Sequence, residues 1–374
     1  MSKAVQIQDY HEKNGHLTEF AGFMLSLWFK GINPESLAVR NAAGVFDISH
    51  MGRAIIRGED SQKLLDTITT NDVASLKDMQ GQYSLICNQE GGIKDDVLVF
   101  RLQDREYLVV FNAANRQKDL DWIMTNSRGL DVETENVSDR VAMFAVQGPK
   151  ARGIVQSLSS DELLGMPRFG CSWTQVARFK CLVSRTGYTG EDGFEVFVWD
   201  SAVDDPANAE AVWNRLLEAG KSVGLEPCGL GARDLLRLEA GLCLYGTDMD
   251  ESTNPYEARL GFVVKLYKNF IGNKKLQAAK EQGPSKVRVG VVTEQRVIPR
   301  HGFHILRGAS TVGTVTSGSL SPTLNTGIAM GYVERAAAEE GTELNVRIRD
   351  RMEKARVVKP PFYDTTRYGY LRKT

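Results

Sequence analysis

Short apolar runs separated by glycines and polar clusters punctuate the chain, and each sets an expectation. Residues 93–100, the polar Gln103-Asp104-Arg105 and residues 107–111 read as a β-hairpin. Asn112-Ala113-Ala114-Asn115 then opens a helix with Leu120 and Ile123 at helical spacing and Asn115 as its N-cap. Residues 141–146 are wholly apolar and stop at Gln147-Gly148-Pro149, the mark of a buried strand. Residues 182–185 and 194–198 predict a second hairpin around a glycine-rich turn. Two hairpin-plus-helix stretches hint at a duplication. Residues 201–210 are small and polar and predict a surface insertion. Residues 230–244 predict a helix with Leu235, Leu238 and Leu242 on one face. Gly283-Pro284-Ser285 follows a charged, alanine-rich stretch and suggests a boundary. Strand-like runs at 287–292, 313–316, 328–333 and 344–348 lie beyond it. The pattern predicts an α+β region over 1–280 and a small all-β barrel over 281–374.

Composition narrows the function classes. A chain of 374 residues is long enough for two to three domains at roughly 150 residues each. It needs no disulfide or metal staple to bury a core. The 46 Lys+Arg balance 47 Asp+Glu, which argues against a general nucleic-acid or anionic-membrane binder. No apolar run approaches the ~20 residues of a membrane span, and the opening residues lack the apolar core of a secretion signal. The expected compartment is the cytoplasm. Five cysteines without a C-x-x-C pair suggest neither a disulfide framework nor a zinc site. His301 and His304 lack a nearby ligand set and read as surface residues.

Three segments could carry chemistry. In Gly91-Gly92-Ile93-Lys94-Asp95-Asp96, a glycine pair leads into a strand, so Asp95 and Asp96 face opposite ways. Each face therefore holds one acid in line with apolar neighbours, and a carboxylate at the rim of an apolar face can be partly desolvated, which raises its pKa and suits proton transfer. From these residues alone a solvated strand start, which blocks edge pairing, is the plainer reading. The loop Thr186-Gly187-Tyr188-Thr189-Gly190-Glu191-Asp192-Gly193 lets backbone approach a ligand closely, and offers an aromatic face at Tyr188. Glu195 follows it. A carboxylate beside an aromatic ring suits a flat heterocycle with two adjacent N–H donors, such as a pterin; a mobile surface hairpin is the plainer alternative. Arg233 and Arg237 share a helix face, and Asp234 can pair with Arg237. They suit an anion, or simply a salt-bridge ladder. No phosphate loop, dinucleotide fingerprint or nucleophile elbow is present.

Taken in order, these segments resemble one family, the aminomethyltransferases (T-proteins) of the glycine cleavage system. The likeness runs through Leu37-Ala38-Val39-Arg40, residues 44–52, Thr70-Asn71-Asp72, residues 91–96, Gln147-Gly148-Pro149, residues 184–195, residues 229–246, residues 313–322 and Pro360-Pro361-Phe362-Tyr363. It implies two ferredoxin-like, folate-binding units over 1–280 and a C-terminal β-barrel over 281–374, arranged as a cloverleaf. It also implies a reaction. An aminomethyl group on the lipoyl arm of the H-protein is split, ammonia leaves, and the carbon joins tetrahydrofolate, or a related reduced pterin, as the 5,10-methylene form. No metal is implied. Residue by residue, the resemblance makes Asp96 the catalytic aspartate, and Tyr83, Asn112, Tyr188, Glu195 and Arg233 the folate-binding set. Arg367 or Tyr368 would reach the site from the C-terminus.

Two departures from the family pattern stand out, and the first bears on the donor. Leu25-Ser26 stands where the family usually has Met-Pro, and loss of a proline restores an N–H donor. The residues near Asp204-Asp205-Pro206 look inserted. A demethylase acting on another small donor is the alternative within the superfamily. A non-catalytic folate-binding assembly factor is a more distant one; its Lys-Gly-Cys-Tyr motif is absent.

Overall fold

The computed structural model describes residues 2–372. The α+β part contains one topology twice. Each copy runs strand, helix, three antiparallel strands, helix, strand. The first is Gly52–Arg57, Ser61–Ile68, Gln80–Cys87, Ile93–Gln103, Glu106–Phe111, Arg116–Asn126 and Glu133–Asn136. The second is Ala142–Gln147, Ala151–Leu158, Cys171–Val176, Phe179–Ser184, Gly193–Val198, Ala207–Gly220 and Leu225–Cys228. The strand order is the same in both, except that Ala43–Asp47 is inserted beside Ala142–Gln147 in the second, giving six strands against five. These are the ferredoxin-like units, and the duplication hinted at in the sequence is real.

Each sheet carries helices on one face and turns the other toward its twin. Ile55, Phe100, Leu108 and Val110 of the first sheet meet Phe46, Met143, Leu182 and Phe197 of the second, with Ala232 and Leu236 of the helix Leu230–Ala240 completing the layer. Separate cores lie under the outer helices of each unit. The third lobe is a closed barrel of six strands between Lys286 and Val358. The four expected barrel runs are strands. The two others, His304–Arg307 and Arg351–Val358, escape a hydrophobic scan because one is four residues long and the other turns mainly Ala355 and Val357 inward among charges.

Two boundaries differ from expectation. The helix expected through residue 244 ends at Ala240, because Gly241 sits at φ +74°. Its N–H returns to Leu238, and that of Leu242 to Arg237, closing the last turn and satisfying two terminal carbonyls. Leu242 therefore lies beyond the helix. The expected surface insertion at 201–210 runs into the helix Ala207–Gly220. Asp204 and Asp205 are exposed, but Ala209 is buried with Val212, Trp213 and Leu216 on one face. Alanine at the first apolar position gave that face no visible start.

Candidate active site

Asp95 and Asp96 leave the strand Ile93–Gln103 on opposite faces, as the alternation requires. Asp96 points between the two sheets. On the paired strand Gln80–Cys87, Leu85 stands directly opposite Asp96 and Tyr83 opposite Leu98, so Tyr83 is its diagonal neighbour. The Tyr83 hydroxyl donates to Asp96 Oδ2 at 3.1 Å. Asn112, just past the next strand, donates its amide to Asp96 Oδ1 and Asp95 Oδ1, each at 2.8 Å. Its backbone N–H reaches Asp95 Oδ2 at 3.0 Å. Asn115 occupies the N-cap position but makes no side-chain cap bond. Its amide instead donates to Asp95 Oδ1 at 2.7 Å. The stronger claim on that amide is a buried carboxylate, which sequence spacing could not reveal.

The second wall comes from the other sheet and the Leu230–Ala240 helix. Glu195 is buried on the strand Gly193–Val198 and accepts a hydrogen bond from the Thr186 hydroxyl. Tyr188 rises from the glycine-rich loop, and its hydroxyl donates to the Cys243 carbonyl. Arg233 stacks over the Tyr188 ring, with Cζ 4.7 Å from its centroid. Its guanidinium makes no ion pair among the described residues. Arg237 behaves differently. It pairs with Asp234 at 2.7 Å, as its spacing predicts, and also reaches Asp248 at 2.5 Å and the barrel residue Ser317 at 2.8 Å. It knits the barrel to the helix.

Tyr83, Asp96, Asn112, Tyr188 and Arg233 all keep accessible surface. Desolvation nonetheless outweighs every other influence on the Tyr83, Asp96, Tyr188 and Arg233 side chains. Together these facts describe an internal hollow rather than an outer surface. The enclosure acts on the charges. Burial, helped by the negative Asp95 alongside, pushes the Asp96 carboxyl up to about 7, against the pull of the Tyr83 and Asn112 bonds. Burial likewise raises Glu195, opposed by Thr186 and Arg233. It lowers Arg233. A carboxyl poised near neutrality in an enclosed site is suited to proton transfer. The nearby thiol of Cys243 is pushed up to about 12 by burial and does not supply a thiolate.

Other residues fall elsewhere. Arg367 is exposed and lies over the Tyr368 ring, which in turn packs edge-on against Tyr363. The C-terminal side chain anchored beside the glycine-rich loop is Arg372, which pairs with Glu191. Ser26 is buried, with its hydroxyl 2.8 Å from His11 Nδ1, while its N–H donates to the same nitrogen at 3.2 Å. His11 Nε2 meets Asp47 at 3.0 Å. The N–H that a proline would remove is thus used in a buried strut. His50, within the 44–52 motif, is a buried neighbour of Arg233 that the sequence did not single out; burial holds its imidazole neutral, down to about 3.

The class is that of an enzyme with two ferredoxin-like units, buried acids between their sheets, and a C-terminal barrel. The GCVT N-terminal domain family matches residues 7–268, and the glycine cleavage T-protein C-terminal barrel domain matches 286–364. An aminomethyltransferase of Alkaliphilus oremlandii is 44% identical, over 96% of this chain and 97% of that one. One from Caldanaerobacter subterraneus subsp. tengcongensis is 43% identical, over 97% and 96%. The crystal structure of glycine cleavage system aminomethyltransferase T from Bartonella henselae superposes with a TM-score of 0.90 at 32% identity, covering 99% of this chain and 100% of the other. The chain belongs to the glycine cleavage T-protein family of aminomethyltransferases.

Proposed function

We propose that the hollow holds the reduced pterin of tetrahydrofolate and that Asp96 is the catalytic carboxylate. The observation that carries this reading is Asp96 itself, held by two donors and raised toward neutrality in an enclosed space it shares with Glu195 and Arg233. Glu195 accepts the pterin's paired N–H donors through charge-assisted hydrogen bonds. Tyr188 flanks the folate and Arg233 meets its benzoyl or glutamyl portion. Tyr83 and Asn112 set the orientation of Asp96 along the folate pocket. Tetrahydrofolate supplies the two nitrogens that take up the carbon. The lipoylated H-protein brings that carbon as an aminomethyl thioether.

The atoms balance simply. The carbon–nitrogen and carbon–sulfur bonds break, two nitrogen–carbon bonds form, and the two N–H protons of the folate leave on ammonia and on the lipoyl thiol. Asp96, ionised, takes a proton from an attacking nitrogen and can return it to the departing amine. That role needs the carboxylate form. Turnover is therefore expected to fall as pH drops through about 7, with a single-proton acid limb. A flat profile from pH about 5.5 to 8 would contradict it. Glu195→Ala is expected to weaken tetrahydrofolate binding by ~1.5–3 kcal/mol, the range of a hydrogen bond to a charged group. Titration calorimetry checks this, and unchanged affinity would remove Glu195 from the pterin. The reaction is tested by mixing the protein with aminomethyl-loaded H-protein and tetrahydrofolate. Ammonia and 5,10-methylenetetrahydrofolate should form together. Absence of ammonia, with methyl transfer from a small donor instead, would overturn the reading. We place the reaction in the cytoplasm, in keeping with five buried free cysteines. No helix among the described residues is long and apolar enough to cross a membrane.

A further inference from the structure

Asp119 lies on the helix Arg116–Asn126, one turn beyond Asn115, with no surface exposed. Among the described residues, no N–H or O–H donor reaches either of its carboxyl oxygens. The charge that acts on it most is the Asp95 carboxylate, which Asn115, at the N-cap one turn earlier, also reaches. Two ionised carboxylates cannot bond to each other, because both only accept. An unpartnered ionised carboxylate at full burial is also strongly disfavoured.

Asp95 resolves the conflict. A carboxylate has about four acceptor sites. Three are filled, by the Asn112 N–H, the Asn112 amide and the Asn115 amide, two of these on Oδ1 and one on Oδ2. One site on Oδ2 is open. We propose that Asp119 is a positioning residue, held protonated so that its O–H fills the open site on Asp95 and steadies the Asn112 amide that holds Asp96. The proton sits between like acids, the pattern of carboxyl pairs that share one proton. Burial, then the adjacent Asp95 charge, drives the Asp119 carboxyl well above the usual carboxylate range.

The charged surroundings do not reverse this. Lys118, on the same helix, directs its ammonium to the Lys94 carbonyl and to the Tyr245 hydroxyl at 3.0 Å. Lys94 pairs with Glu251 at 3.3 Å and lies over Trp122. Neither lysine forms an ion pair with Asp119.

The positioning role rests on Asp96 being the catalytic carboxylate; the protonation of Asp119 does not. Infrared spectra therefore give a first test that needs no turnover. At about pH 9, where ordinary carboxyls are ionised, the protein should show the C=O stretch of a protonated carboxyl, and Asp119→Asn should lack it. Absence of that band in the wild-type protein would overturn the proposal. Kinetics give the second test. Asp119→Asn keeps a donor and changes no charge, so turnover should stay within about threefold and the acid limb of kcat should not move. Asp119→Leu removes the donor. Its kcat should fall about 10–100-fold while the KM for tetrahydrofolate changes less than about twofold. A limb shifted to lower pH in Asp119→Asn would mean that the residue carries charge and would overturn its protonated state. An unchanged kcat in Asp119→Leu, with the infrared band present, would overturn the positioning role.

Discussion

Asp96→Asn is expected to bind tetrahydrofolate with near wild-type affinity and to turn over about 10²–10⁴-fold more slowly, the range that a positioned proton-transfer group contributes. The substitution is close to isosteric. The amide carbonyl of the variant side chain would still accept from Asn112, so the hollow should keep its shape. What disappears is a carboxylate able to take a proton from the attacking nitrogen. The acid limb near neutrality should vanish with it, since that limb is the titration of this group. Rapid-quench measurement of ammonia release beside folate binding by calorimetry separates the two effects. Wild-type turnover in the variant would remove Asp96 from the chemistry. A large loss of affinity instead would make it a binding residue.

The second large effect concerns stability. Arg40 has no exposed side-chain surface and bonds Glu191 at 2.9 Å and Glu239 through Nε at 3.0 Å. Its remaining donors reach the carbonyls of Thr189 at 2.8 Å and Leu236 at 3.3 Å, and its Cζ lies 4.4 Å from the Tyr363 ring centroid. One guanidinium thus joins the glycine-rich loop, the helix that carries Arg233, and the segment after the barrel. Glu239 also accepts from Ser321 at 2.6 Å. Arg40→Met keeps most of the volume but leaves buried Glu239 with no cation and Glu191 with Arg372 alone. Breaking a buried pair in this way costs about 3–5 kcal/mol. A lower midpoint of denaturant unfolding, with loosening of the loop that holds Tyr188, is the expected outcome. A loss below about 1 kcal/mol would show that the cluster is solvated and contributes little.

Much of this site was legible because its logic is local. Strand alternation alone places Asp95 and Asp96 on opposite faces, and the turn residues mark both hairpins. The helix Leu230–Ala240 shows in its leucine spacing, although its last turn depends on Gly241, which a periodicity argument reads through. The resemblance named Tyr83, Asn112, Tyr188, Glu195 and Arg233 beside Asp96; the fold brings Tyr83 and Asn112 onto Asp96, Arg233 over Tyr188, and the Arg233 charge to bear on Glu195. The long-range polar links were not legible. Arg40, Glu191 and Glu239 each stand in a motif, but nothing in a linear chain says that they share one buried ion cluster. Asn115 carries the signature of a cap, and only the three-dimensional approach of Asp95 redirects its amide. Asp119 stands in no motif, and only the fold encloses it.

A structure of the protein with tetrahydrofolate bound tests the central claim most directly. The account predicts the pterin between the two sheets, its paired N–H groups on Glu195, its reactive nitrogens toward Asp96, and its tail near Arg233. Density for the folate outside that space, with Asp96 contacting only Tyr83 and Asn112, would contradict it.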